Sequence, residues 1–184
     1  MKLLSGFYKL DSGSVLYEGV SYSKNNVCKD VRVLIDGPSF YGDLSGYDNL
    51  KLLADINKKI SNKEIEDILK VVNLYDEKDK KYSKYSLGMR QRLGISQAIL
   101  NKPNLLIVDE PTNGLDPSGI IEFRKMLKEL AKKEKMSIFI SSHNLAEIEN
   151  ICDKVLLINE GEIVSLDVLH EKNDKDKYKL ELNS

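Results

Sequence analysis

The sequence predicts an α/β fold built on a parallel sheet, and three observations lead there. Short apolar runs alternate with longer stretches of helical periodicity along the 184 residues, the pattern that βαβ crossovers impose. Residues 105–108 are continuously apolar and run into turn residues, as a strand buried on both faces requires. Two adjacent acids, Asp109 and Glu110, follow that run, at the end where open α/β sheets place their ligands. Acids also favour turns, so this pair alone fits a simple strand end as well as a metal ion beside an activated water.

The elements follow in order. Residues 1–19 read as the tail of a helix and then a strand at 14–17. A strand at 31–35 is broken by Asp36-Gly37-Pro38. Ser45 with Asp48, and Ser61 with Glu64, form capping boxes for helices at 47–57 and 62–72. The second helix takes its apolar stripe from Ile65, Ile68, Leu69 and Val72. Ser86 is a good N-cap for a helix at 87–100, whose apolar positions are Leu93, Ile95, Ala98, Ile99 and Leu100. Asp116 and Pro117 open a helix at 117–133. A strand at 137–140 leads through Ser142 and His143 to a helix at 144–151, with Asn144 at its N-cap. Strands at 154–158 and 162–165 are joined by the tight turn Asn159-Glu160-Gly161. The end, 173–184, is charged, with a strand at 178–182. A helix-rich insert, about 44–101, thus separates two strands of the parallel sheet.

Composition narrows the function. The net charge is −1, which argues against a nucleic-acid-binding patch as the dominant feature. The lysine-rich stretches 78–84 and 132–135 read as solvated faces. Cys28 and Cys152 are distant and unpatterned, pointing to a reducing compartment and to neither zinc nor a disulfide framework. No apolar run approaches the roughly 20 residues that span a bilayer, so a membrane role requires a separate partner.

Four segments carry a resemblance. LLIVDEPTNGLDP at 105–117 resembles the Walker B strand and D-loop of ATP-binding-cassette (ABC) ATPases. YSLGMRQRL at 85–93 resembles the signature loop, with Leu87 and Met89 replacing the commoner Gly and Gln. SIFISSHNLAEIE at 137–149 resembles the segment holding the switch histidine. VRVLIDGPSFYGDLSGYDN at 31–49 resembles the Q-loop region, with Asp36 in place of glutamine, as in the bacitracin- and lantibiotic-resistance type. The resemblance covers residues 1 to about 167 as a partial ABC ATPase domain, with 168–184 a C-terminal extension stub.

That resemblance implies a P-loop NTPase-like parallel sheet with a helical subdomain, ATP and Mg²⁺ as ligands, and hydrolysis that powers transport. It implies Asp109 as the metal ligand, with Asp36 a further candidate for metal and nucleotide. Glu110 would be the general base and His143 the γ-phosphate contact. Ser86, Leu87, Gly88 and Met89 would meet the nucleotide held by an opposite subunit, and Asp116 would bridge the pair. The implied partners are a second ATPase subunit, in a homo- or heterodimer, and a transmembrane permease. The implied place is the cytoplasmic face of the membrane, and the implied transporter is an exporter of antimicrobial-peptide or drug type.

The phosphate loop G-x-x-x-x-G-K-[S/T] occurs nowhere in the 184 residues. Two readings stand: a chain truncated before or at that loop, lacking the N-terminal strands and the phosphate-loop strand, or a degenerate, non-hydrolysing partner. The presence of Asp109, Glu110, Ser86 and His143 together favours the first. On it, the absent strand belongs inside the sheet beside the strand that precedes His143, and the isolated chain is expected to be poorly stable and inactive. A soluble ABC protein without a transporter is the alternative of a different class.

Overall fold

The computed structural model describes residues 1–22, 30–35, 37–57 and 60–168. Asp36, Cys28 and the strand expected at 178–182 lie outside the described residues. The chain divides into two compact units, Met1–His143 and Asn144–Ser184.

The first unit is organised by a three-stranded parallel sheet, β3 (Val31–Leu34), β4 (Leu105–Asp109) and β5 (Ser137–Ser141), with β4 in the middle. Val31 pairs with Leu105 and Leu34 with Val108; Leu105 pairs with Ser137 and Asp109 with Ser141. Side chains alternate along a strand, so β4 serves two cores. Leu106 and Val108 enter the main core, whereas Ile107 joins Val31, Met1, Val15, Tyr17 and Phe139 on the opposite face. This double burial explains the unbroken apolar run. Among the described residues, no strand pairs with the outer edge of β5.

The main core lies between the sheet and four helices. α1 (Gly46–Asn57), α2 (Asn62–Val71) and α3 (Leu87–Ile99) form the insert between β3 and β4, and α4 (Pro117–Glu134) connects β4 to β5. Leu50, Ile65, Leu69, Leu93 and Ile95 are fully buried there, as are Phe123 and Leu130 from α4. The α2 capping box is complete: Glu64 N–H donates to the Ser61 hydroxyl, and the Glu64 carboxylate accepts the Ser61 N–H. At α1 the Asp48 N–H donates to Ser45 Oγ at 3.0 Å, and that hydroxyl donates to the Asp48 carboxylate. α4 ends at Lys135 in the left-handed region, with Lys132 and Lys133 in its last turn, where cations favour the helix dipole.

Several details differ from expectation. Residues 1–7 form hydrogen-bonded turns closed as a helix C-terminus is: Phe7 N–H donates to Lys2 O and Gly6 N–H to Leu3 O, with Gly6 at φ 73°. The strand β1 (Val15–Tyr17) turns through Glu18 and Gly19, both at positive φ, into β2 (Val20–Tyr22), which the sequence reading did not contain. β4 and β5 each run one residue further, bringing Asp109 and Ser141 into the ladder.

In the second unit α5 (Leu145–Ile151) starts after Asn144, which occupies the expected N-cap position in extended conformation, although its side chain makes no capping bond. The strands β6 (Lys154–Asn159) and β7 (Glu162–Val168) pair antiparallel, and the Glu160-Gly161 turn has both φ values positive, as a two-residue hairpin turn demands.

Candidate functional site

The C-terminal rim of the sheet gathers the acids and the imidazole. Asp109 ends β4 beside Ser141 at the end of β5. The Ser141 hydroxyl donates to Asp109 Oδ1 and accepts the Glu110 N–H at 3.1 Å. Glu110 leaves the strand at φ 46°, a left-handed conformation that residues with a Cβ rarely adopt. Its Oε2 lies 3.0 Å from His143 Nδ1. Both groups reach solvent, with the His143 side chain 76% exposed and the Glu110 side chain 34%.

This arrangement suits activation of water. A carboxylate with one oxygen on an imidazole keeps the other for a proton from a third group. Asp109, half-buried, has Oδ1 occupied by Ser141. Its other oxygen can take one position on Mg²⁺. Among the described residues no three His, Cys, Asp or Glu side chains converge as a metal cage. A single carboxylate fits Mg²⁺ that arrives on nucleotide phosphates and keeps its waters.

A second group of expected site residues meets elsewhere. Ser86 is exposed and caps α3, accepting the Met89 N–H at 3.3 Å. Ser86, Leu87, Gly88 and Met89 line a groove of about 390 Å³ together with Gly114 and Asp116. The first N–H groups of a helix lack intrahelical partners and carry the positive end of its dipole, so this rim can receive an anion. The Ser118 hydroxyl beside Asp116 holds its carboxyl below the usual range. Arg92 on α3 and Glu122 on α4 form an ion pair at the back of the groove. Glu110 and His143 do not line it, so one chain presents its candidate residues as two separate constellations.

The groove is anchored from behind. Tyr85, immediately before Ser86, is buried and donates from Oη to the Glu77 carbonyl at 2.9 Å. Burial, with the Glu77 and Asp79 carboxylates adding to it, pushes the phenol up to about 12. The segment after β3 also touches α3: a Cβ on Gly94 would lie 2.9 Å from Pro38 Cβ. Ser141, Arg92 and Glu122 were absent from the sequence-based candidates. A hydroxyl ending an apolar strand was the available signal for Ser141; its alignment with Asp109 emerges only with the strand register.

The parallel sheet, its rim of acids and the inserted helices define a P-loop NTPase-like fold. The family model described as "ABC transporter" matches residues 1–113, and the chain belongs to that family. It is 43% identical over 180 residues to the bacitracin transport ATP-binding protein BcrA of Enterococcus faecalis, covering 95% of this chain and 58% of that protein. It is 42% identical over 164 residues to the lantibiotic transport ATP-binding protein SrtF of Streptococcus pyogenes, covering 89% of this chain and 70% of that one. Among solved structures, cbiO1 from Clostridium perfringens, part of the ABC transporter complex cbiONQ, superposes with a TM-score of 0.82 at 28% identity. That match covers 92% of this chain and 71% of cbiO1. The chain spans little more than half the length of several curated relatives, 54% in one case and 58% in BcrA.

Proposed function

We propose that this chain carries the Walker B, signature and switch parts of the ATP-binding and ATP-hydrolysing subunit of an ABC exporter of antimicrobial-peptide or drug type, working at the cytoplasmic face of the membrane, and that by itself, with no phosphate loop in its 184 residues, it does not turn over ATP. The observation that carries the reading is the Glu110 carboxylate 3.0 Å from His143 at the end of the central strands. The named relatives, ATP-binding proteins of bacitracin transport and of lantibiotic transport, support the substrate class.

On this reading Asp109 would be the protein ligand to Mg²⁺, and the ion would supply positive charge against the phosphate oxygens. Glu110 removes the proton from the attacking water, a role worth about 10²–10⁴ in rate. His143 steadies the γ-phosphate and fixes the Glu110 carboxylate. The α3 N-terminus, from Ser86 to Met89, receives the γ-phosphate bound by a second ATPase subunit. Asp116, held ionised by Ser118, lies between the two. Head-to-tail pairing joins two constellations that one chain keeps apart. Catalysis is then mostly charge placement, as phosphoryl transfer requires.

Among the described residues no helix is long and apolar enough to cross a membrane. The reading assigns translocation to a transmembrane permease, in keeping with relatives named as ATP-binding proteins of transport. A groove of about 610 Å³ between the end of β3, α1 and α3, lined by Leu34, Pro38, Leu53, Ile56 and Gln97, is where that permease would dock. Asp36, between Ile35 and Gly37 in the sequence, is the candidate that would sense the nucleotide.

The test is MgATP turnover by the assembled transporter, with the phosphate loop absent from these 184 residues supplied in the same subunit. Glu110→Gln should lower kcat by about 10²–10⁴ and leave ATP binding intact. Full turnover by Glu110→Gln, or failure of the subunit to purify with a polytopic membrane protein, would refute the reading.

A further inference from the structure

We infer that Ser141 is the positioning residue for the general base, holding Glu110 in its left-handed turn so that the carboxylate faces His143. This rests on the reading of Glu110 given above and assigns a task to a side chain outside that reading.

The Asp109–Ser141 pair is the last of the β4–β5 ladder. The Glu110 N–H lies one residue beyond it and donates to the Ser141 side chain at 3.1 Å. Glu110 sits at φ 46°, where its Cβ is crowded, and such a conformation persists only where its surroundings hold it. The turn's own bond, Asn113 N–H to the Glu110 carbonyl at 3.2 Å, ties Glu110 forward along the chain. The Ser141 hydroxyl ties it sideways to the sheet.

The direction of both hydroxyl bonds follows from the partners. An ionised carboxylate only accepts and a backbone N–H only donates. Ser141 therefore gives its single proton to Asp109 Oδ1 and turns a lone pair to Glu110. One oxygen thus fixes the rotation of the metal-side carboxylate and the backbone of the base together. Alanine would release both; threonine keeps the hydroxyl and suits a strand.

The experiment compares Ser141→Ala and Ser141→Thr. In the full chain, NMR-detected hydrogen exchange at the Glu110 amide should be about tenfold faster in Ser141→Ala, the worth of one lost hydrogen bond. The Ile107 and Val108 amides should not change, and Ser141→Thr should recover the protection. In the assembled transporter, Ser141→Ala should lose about 10- to 100-fold in kcat, the scale of a misplaced group, at an unchanged KM for MgATP. Ser141→Thr should restore most of that kcat.

Unaltered Glu110 exchange in Ser141→Ala would overturn the proposal. Equal loss of protection along all of β4 would overturn it too, by showing a folding role alone. Faster Glu110 exchange with unchanged kcat would likewise refute the positioning role. Should Glu110→Gln turn over ATP normally, the reading of the base fails, and the exchange data still decide whether Ser141 holds the turn.

Discussion

Replacing Tyr85 by Phe removes one oxygen from the support of the signature-like loop and leaves the ring packed. Two effects of opposite pH dependence follow. At about pH 8 the variant loses the Oη–Glu77 bond and should be less stable by about 1 kcal/mol. At higher pH the native phenol becomes a liability. Its folded value is about 12 against an ordinary 10.0, so the neutral form is the one the fold favours. That contribution is complete below about pH 10 and is lost as pH rises toward 12, because the unfolded chain ionises first. At about pH 11 the unfolded phenol is about nine-tenths ionised and the folded one about one-tenth, a loss of at most about 1.4 kcal/mol. Wild type and Tyr85→Phe should therefore converge, and cross, between about pH 10 and 11. The chain has no Trp, so urea melts followed by far-UV circular dichroism are the suitable assay. A constant offset between the two proteins from about pH 8 to 11 would refute the argument, since it would place the phenol in water.

Two further predictions concern α3. Gly94→Ala puts a Cβ 2.9 Å and 3.0 Å from two ring carbons of Pro38 and 3.3 Å from Leu34 Cδ1. The helix-propensity gain of up to about 1 kcal/mol should be outweighed by about 1–3 kcal/mol of overpacking, giving a lower urea midpoint; a raised midpoint would show that Pro38 yields freely. Breaking the Arg92–Glu122 pair in a double-mutant cycle should give a coupling of about 0.5–1 kcal/mol that shrinks with salt, since the Glu122 side chain is 63% exposed; additive single effects would remove the pair as a link between α3 and α4.

The parts of this fold readable in sequence are those written locally. Ser61 and Glu64 are three residues apart and make the expected reciprocal bonds. Ser86 caps α3 as its position before the apolar stripe suggests. The hairpin at Glu160-Gly161 needed only its turn residues. Asn144 shows the limit of the same grammar: it occupies the cap position, yet its side chain makes no capping bond. β2 was missed because three residues, VSY, are too few to show alternation, although Glu18-Gly19 before them is a turn signal. The site divides the same way. Asp109 and Glu110 are adjacent and legible. Ser141 and Asp109 are 32 residues apart, and Arg92 and Glu122 are 30 apart. Their meeting depends on sheet register and helix packing, which no local pattern encodes.

If two subunits pair head to tail as proposed, the separation of Glu110 and His143 from the Ser86 groove decides what a damaged copy does to the pair. Paired head to tail, a subunit lacking Glu110 and a subunit lacking Ser86 would place both defects at one interface and leave the other whole. Two such defective molecules would then recover a share of the work that neither performs with its own kind.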